Sequence, residues 1–249
     1  MTRVALVTGV SRRIGIGTAI ARRFADAGYR LLLTGLPSYD DAQPYGGDPD
    51  GVATLLESEE YHPADLTEPD APGRLVDAAV ERYGRLDVLV VNHAYSTETE
   101  LGSLDATEID RHLTVNVRAT MLLIEAFAGA YRGDHGDGRV VLFSSGQRLG
   151  PMPSELAYAA SKAAVECLTS QFAYLLGPRG ITVNCLNPGP TDTGYLTGDI
   201  HTKVAARFPS GRWGQPDDAA RLVEWLCSPA AAWITGQVID SEGGFDRYR

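Results

Sequence analysis

Lysine and cysteine are scarce in this 249-residue sequence. Lysine occurs only at Lys162 and Lys203, so nearly all of the basic charge is carried by arginine. The cysteines, Cys167, Cys185 and Cys227, are odd in number and lack the C-x-x-C spacing of zinc and redox sites. They predict buried thiols in a reducing compartment, with neither a disulfide nor a metal site.

Positive charge and long apolar runs are also in short supply. The formal net charge is −10, and such a chain repels a phosphate backbone, which argues against nucleic-acid binding. No stretch approaches the roughly 18 consecutive apolar residues of a membrane span, and no cleavage site follows residues 1–9. These absences predict a cytoplasmic protein that does not enter a membrane.

Short apolar runs alternate with amphipathic helical stretches along the whole chain. The expected strands are 3–8, 30–35, 59–64, 86–91, 139–144, 181–186 and 236–240, and the expected helices lie near 17–27, 72–83, 105–131, 155–176 and 217–227. This alternation predicts a single α/β domain over residues 1–249 with a doubly wound, seven-stranded parallel sheet. Residues 36–54, rich in Pro, Gly and Asp, predict a long surface loop.

Two pairs of residues mark helix ends. Asp105 and Glu108 have the spacing of a capping box, which predicts a helix start at residue 105. Gly177 and Pro178 predict the end of the helix 155–176.

A glycine-rich turn follows the first strand and opens the first helix, with the sequence Thr8-Gly9-Val10-Ser11-Arg12-Arg13-Ile14-Gly15-Ile16-Gly17. Glycine is common in turns for its positive φ alone. Between a first strand and a first helix, however, it lets the backbone approach a pyrophosphate at the helix N-terminus, as in the Rossmann fold. The turn therefore predicts a dinucleotide site that includes Gly9, Gly15 and Ile16.

The end of the second strand bears on the choice of cofactor. An acid at this place usually bonds the ribose 2′-hydroxyl of NAD, and here the place is taken by Gly35 and Leu36. Ser11, Arg12 and Arg13 lie where a 2′-phosphate can be clasped, although both arginines can also be read as solvated surface charges. The sequence thus favours NADP(H) over NAD(H).

Tyr158 and Lys162 are spaced by four residues within the predicted helix 155–176, which places them on one face. A phenol with a pKa near 10 is a poor acid–base catalyst at neutral pH, and a nearby ammonium group stabilises the phenolate. In a chain that otherwise uses arginine, lysine at this position indicates that an ammonium group is required. An ordinary surface pair is the alternative interpretation.

These residues and the glycine turn resemble the short-chain dehydrogenase/reductase family, and similar sequences are often 3-oxoacyl-carrier-protein reductases. The resemblance covers essentially the whole chain. It implies that Ser145, at the end of the fifth strand, bonds the substrate oxygen, and that Asn116 holds a water for a proton relay. Either polar group can instead be a satisfied structural one. The glycine turn departs from the family pattern by two extra residues before Gly15.

The resemblance also implies further cofactor contacts. Asp65 and Leu66 match an adenine contact, and the turn containing Pro188, Gly189, Thr191 and Thr193 matches a carboxamide-binding turn. Asn92-His93-Ala94 stands in for the family's Asn-Asn-Ala-Gly, with Val91 at the first Asn. His93 is an acid–base candidate without a partner pattern.

The implied activity is reduction of a ketone by NADPH, with Tyr158 as the acid–base and a 3-oxoacyl-like or secondary-metabolite substrate. Enoyl reductases of the superfamily separate Tyr and Lys by six residues, whereas three lie between them here. An NAD-dependent alcohol dehydrogenase and, more remotely, a non-catalytic cofactor-binding regulator are the alternatives. Gln147, Arg148, Met152 and a mobile lid at 194–212 are expected on the substrate side. The resemblance implies a homotetramer or homodimer.

Overall fold

A computed structural model describes residues 2–48, 51–52, 60–133 and 136–248. Its strands are β1 (Val4–Thr8), β2 (Arg30–Thr34), β3 (Glu60–Tyr61), β4 (Val88–Val91), β5 (Gly138–Phe143), β6 (Ile181–Asn187) and β7 (Val238–Asp240). They form one sheet in the order β3-β2-β1-β4-β5-β6-β7, and every pair is parallel. The predicted doubly wound, seven-stranded α/β fold is confirmed. The edge strands β3 and β7 are shorter than predicted, and residue 59 lies outside the described residues.

The helices are α1 (Ile16–Asp26), α2 (Pro37–Asp41), α3 (Ala71–Tyr83), α4 (Ala106–His112), α5 (Ala119–Ala130), α6 (Leu156–Leu176), α7 (Gly198–Ala205) and α8 (Pro216–Cys227). A π-helical turn, Leu113–Arg118, joins α4 to α5 within the predicted helix 105–131. Helix α6 ends at Leu176, as Gly177 and Pro178 predict.

Helices α2 and α7 were not predicted, because five and eight residues are too short to show a helical period. Helix α2 lies within the stretch 36–54 that was expected to be irregular throughout. Residues 49–50 and 53–54 of that stretch lie outside the described residues.

The two faces of the sheet bury separate apolar cores, because alternate residues of a strand point to opposite faces. On one face Leu6 and Leu89 pack with Phe127 of α5 and with residues of α3 and α6. On the other face Ala5 and Val7 pack with residues of α1 and α8. Burial on both faces explains why the central strands read as continuous apolar runs.

The run Ala106–Ala130 is long and apolar enough, by length and composition, to cross a membrane. Here Leu123, Ile124 and Phe127 are fully buried against the sheet, so it is a core helix. Its start is capped by Asp105, whose carboxylate accepts from the backbone N–H groups of Thr107 and Glu108. The predicted capping box is half correct, because the Glu108 carboxylate accepts instead from the hydroxyl groups of Tyr95 and Thr97.

The glycine turn packs directly against the end of β4. A Cβ on Gly9 would lie 2.6 Å from Asn92 Nδ2, and one on Gly17 would lie 2.4 Å from the Gly9 carbonyl oxygen. Gly9 also has a positive φ of 72°. Glycine is therefore required at both places by close approach of the backbone.

We expect Gly17→Ala to lower the free energy of unfolding by roughly 1–3 kcal/mol, because the added methyl group overlaps the Gly9 carbonyl. Urea denaturation measures this change. Gly129→Ala in α5 is the matched control, since its Cβ meets nothing within 4 Å. It should stabilise the helix by up to about 1 kcal/mol. A Gly17→Ala protein as stable as the unchanged chain contradicts this account of the turn.

Candidate active site

A cavity of about 1100 Å³ opens at the carboxyl edge of the sheet. Most of the predicted site residues, which come from five different strand ends and from α1 and α6, line it together. They are Gly9, Ser11, Arg12, Gly15, Ile16, Asp65, Leu66, Asn92, Ser145, Tyr158, Pro188, Gly189, Thr191 and Thr193. Arg13, Asn116 and Lys162 do not line the cavity. Ligands of open parallel sheets bind at this edge.

The end of β4 ties the glycine turn to the centre of the sheet. Asn92 Nδ2 donates to the carbonyl groups of Gly9 (3.0 Å) and Thr8 (3.2 Å). Gly35, after β2, closes the other side, since a Cβ there would lie 2.5 Å from the Val10 carbonyl oxygen. This tight glycine cradle at the N-terminus of α1 fits the pyrophosphate of a dinucleotide.

Arg12 and Arg13 point in different directions. The Arg12 guanidinium donates to the Thr193 carbonyl oxygen at 2.7 Å and lies 4.4 Å above the Tyr45 ring centroid. The Arg13 side chain turns away and pairs with Asp48, with 3.2 Å between Nε and Oδ1. Of the residues of the expected clasp, Arg12 and Ser11 face the cavity and Arg13 does not.

The turn after β6 forms another wall. Gly189 has a φ of 62°, and its N–H donates to Asn187 Oδ1 at 3.1 Å. Thr191 is buried and donates to the Gly189 carbonyl oxygen at 3.2 Å. On the opposite side Asp65 Oδ1 accepts from the Thr67 N–H and hydroxyl groups at 2.8 and 2.7 Å. Both turns are thus held in shape by their own hydrogen bonds.

Tyr158 and Ser145 meet in the cavity wall. Burial raises the pKa of Tyr158 above its ordinary value, the Glu155 carboxylate adds to the rise, and a hydrogen bond with Ser145 opposes it. The lowering that the sequence led us to expect from Lys162 is not what the structure shows. A phenol in these surroundings stays protonated at neutral pH.

Lys162 lies behind Tyr158 and is 3% exposed. Its Nζ donates to the Phe143 carbonyl oxygen at 2.9 Å and lies 5.6 Å from the Tyr158 ring centroid. Burial lowers the pKa of Lys162 to about 8. The ammonium group is close enough to act on the site, but it is turned toward the end of β5.

Asn116 lies in the π-helical turn and joins three elements. Its Oδ1 accepts from the Tyr95 N–H at 2.7 Å, and its Nδ2 donates to the Tyr95 carbonyl oxygen and to Ser161 Oγ, both at 2.9 Å. The amide therefore fixes the loop after β4 against α6, the helix that carries Tyr158. This is a positioning role, and a water relay at Asn116 remains a proposal.

Several lining residues were not predicted as site residues. Asp40, Tyr39 and Tyr45 come from α2 and the segment after it, Glu155 precedes α6, and Arg247 reaches in from near the C-terminus. The Arg247 guanidinium pairs with Glu242 and occupies the space above Gly146. No motif marks these positions, because a short helix and the loops beside the longer elements bring them to the cavity. On the expected substrate side Met152, Tyr195 and Leu196 line the cavity, whereas Gln147 and Arg148 do not.

Sequence comparison with known proteins matches nearly the whole chain. A family profile described as Enoyl-(Acyl carrier protein) reductase matches residues 9–246. The uncharacterized oxidoreductase YjdA of Bacillus subtilis is 39% identical over 98% of this chain and 97% of its own. An NADPH-dependent aldehyde reductase-like chloroplastic protein of Arabidopsis thaliana is 32% identical over 98% of this chain and 94% of its own.

Solved structures agree. A mutant of a short-chain dehydrogenase/reductase from Serratia marcescens superposes with a TM-score of 0.83 and is 31% identical, covering 98% of this chain and 97% of its own. The chain belongs to the short-chain dehydrogenase/reductase family. It is accordingly an NAD(P)-dependent oxidoreductase that acts on CH–OH or C=O groups.

One position of this short-chain dehydrogenase/reductase had been an open acid–base candidate. His93 Nε2 lies 3.0 Å from the Val115 carbonyl oxygen, and Nδ1 lies 2.9 Å from Thr8 Oγ1. A carbonyl can only accept, so Nε2 carries the proton and Nδ1 accepts from Thr8. Burial lowers the pKa of His93 to about 4. His93 is therefore a neutral brace between β1 and the π-helical turn.

We expect stability to fall as the pH drops from about 6.5 to about 4, because the unfolded chain protonates His93 before the folded one does. The loss from this residue is at most about 3 kcal/mol and is complete below the folded pKa. Chemical denaturation at several pH values measures it. The His93→Gln protein should lose less stability over this pH range, because it has no imidazole to protonate at residue 93. Identical plots of stability against pH for the two proteins would contradict a lowered pKa for His93.

Proposed function

We propose that this short-chain dehydrogenase/reductase is an NADPH-dependent carbonyl reductase that acts on a ketone of 3-oxoacyl or secondary-metabolite type. The observation that carries the proposal is the pairing of Tyr158 with Ser145 in the cavity that the glycine turn also lines. A cofactor bound at the glycine turn and a substrate bound at Tyr158 would thus lie in the same cavity.

In the proposed reaction each residue of the chain has a separate task. The nicotinamide cofactor, when bound, supplies the hydride. Ser145 donates a hydrogen bond that orients the ketone oxygen, and Tyr158 gives its phenolic proton to that oxygen. Lys162 supplies positive charge behind the phenol, and Asn116 leads to the water relay that restores the proton.

The surroundings of Tyr158 suit the proton-donating step of a reduction. Its raised pKa keeps the phenol protonated, and a protonated phenol is ready to donate rather than to accept. The spacing of Tyr158 and Lys162 favours a C=O over a C=C substrate, although the matching profile carries an enoyl reductase description. The Arabidopsis relative, described as NADPH-dependent and aldehyde reductase-like, supports the same direction and cofactor.

The preference for NADP(H) rests on Arg12. The guanidinium has five N–H donors and uses one on the Thr193 carbonyl, so others remain for a phosphate. An NAD-dependent alcohol dehydrogenase is the second candidate, and one observation favours it: the carboxyl group of Asp40 lies beside Ser11.

A homotetramer or homodimer in the cytoplasm is part of the proposal. Large apolar side chains are exposed on the π-helical turn, α5 and α6: Leu113 (40%), Met121 (42%), Tyr174 (84%) and Leu175 (64%). Such an unpaired apolar surface favours association between copies.

Tyr158→Phe should lower turnover of a ketone by at least about 100-fold while leaving NADPH affinity within about threefold, because only the transferable proton is removed. Steady-state kinetics and a fluorescence titration measure the two quantities. Full turnover in the variant would remove Tyr158 from the proposed mechanism.

Arg12→Ala should weaken NADPH binding about tenfold, or about 1.4 kcal/mol, while NADH binding changes little. Arg13→Ala is the matched control, since its guanidinium pairs with Asp48 outside the cavity. Equal losses for NADPH and NADH in Arg12→Ala would contradict a contact with the 2′-phosphate.

A further inference from the structure

Helix α2 places a carboxyl group in the cofactor end of the cavity. Asp40 lines the cavity together with Ser11, Arg12 and Gly35, although it lies five residues beyond the strand-end position where an acid was expected and not found. The chain therefore brings an acid back to this place from a different element.

Asp40 is a buried carboxyl group, and one of its two oxygens has no hydrogen-bond partner within the described residues. The residue is 6% exposed, and the oxygen without a partner is Oδ2. Burial raises the pKa of Asp40, while a hydrogen bond with Ser11, the charge of Arg12 and a hydrogen bond with Tyr45 oppose the rise. The Oδ2 oxygen is enclosed, so the carboxyl group acts on a bound cofactor through its negative charge, which disfavours an added phosphate more than a hydroxyl.

Arg12 and Asp40 act on the same part of the cavity with opposite sign. The Arg12 guanidinium lies over the Tyr45 ring, and the Tyr45 hydroxyl bonds the Asp40 carboxyl, so one aromatic side chain links the two charges. Ser11 bonds Asp40 and directly precedes Arg12, so it lies beside both charges. Their balance then decides whether a phosphorylated or an unphosphorylated ribose is held more tightly.

We propose that Asp40 is a specificity-determining residue that opposes the 2′-phosphate and so limits the preference for NADPH that Arg12 creates. This inference rests on the proposed function, since it concerns the same cofactor site. In this proposal Asp40, which comes from α2, takes the place of the acid that usually lies at the end of the second strand in NAD-dependent enzymes. Replacing its charge should shift the choice of cofactor.

The test is the ratio of the NADH to the NADPH dissociation constant, measured by nicotinamide fluorescence in Asp40→Asn. Asparagine keeps the size of the side chain and one acceptor oxygen, and it removes the charge. We expect the ratio to rise at least fivefold, through tighter NADPH binding. Asp41→Asn removes the same charge from an exposed neighbour outside the cavity, and its ratio should stay within twofold.

A smaller rise, or a fall, in Asp40→Asn overturns the proposal, because a residue that merely holds Ser11 and Arg12 in place would weaken NADPH binding when changed. Asp40→Ser provides a second neutral variant if Asp40→Asn does not fold, and the same ratio decides. If the unchanged protein binds neither NADPH nor NADH, the proposed function fails and this inference falls with it. If the unchanged protein binds them and the ratio does not move, only the role of Asp40 fails.

Discussion

The close packing of the glycine turn against the ends of β2 and β4 is the constraint on which the site depends. Gly9, Gly17 and Gly35 each bring backbone to within a distance that no Cβ tolerates, and Asn92 bonds the turn from the centre of the sheet. With this contact in place, the N-terminus of α1 opens directly onto the cavity.

Desolvation also sets the pKa values of the two residues at the reaction centre. Tyr158 lies in the cavity wall and Lys162 is buried behind it; desolvation raises the pKa of the phenol and lowers that of the amine. Asn116 and His93 use all of their ring or amide polar atoms to brace the loop after β4. These contacts hold the loop after β4 in place, and the raised pKa of Tyr158 keeps the phenol protonated, which suits a proton donor.

The sequence was sufficient for the parts that repeat or follow a motif. Strand–helix alternation predicted the sheet, and most of the motif residues converged on one cavity because parallel strands end at one edge. The sequence could not predict the features that depend on how the segments between the long elements fold. The turn of Arg13 toward Asp48 and the return of Asp40 from α2 are set by tertiary contacts, and no local pattern marks them. The pKa of Tyr158 was wrongly expected to fall, because burial is invisible in the i, i+4 spacing.

The central claim is that this cavity is a nicotinamide dinucleotide site. The most direct measurement is a titration of the unchanged protein with NADPH, following the nicotinamide emission, with the Gly17→Ala protein beside it. The account predicts saturable binding of one NADPH per chain and much weaker binding after the glycine turn is blocked. Absence of saturable binding by both NADPH and NADH in the folded, unchanged protein would contradict it.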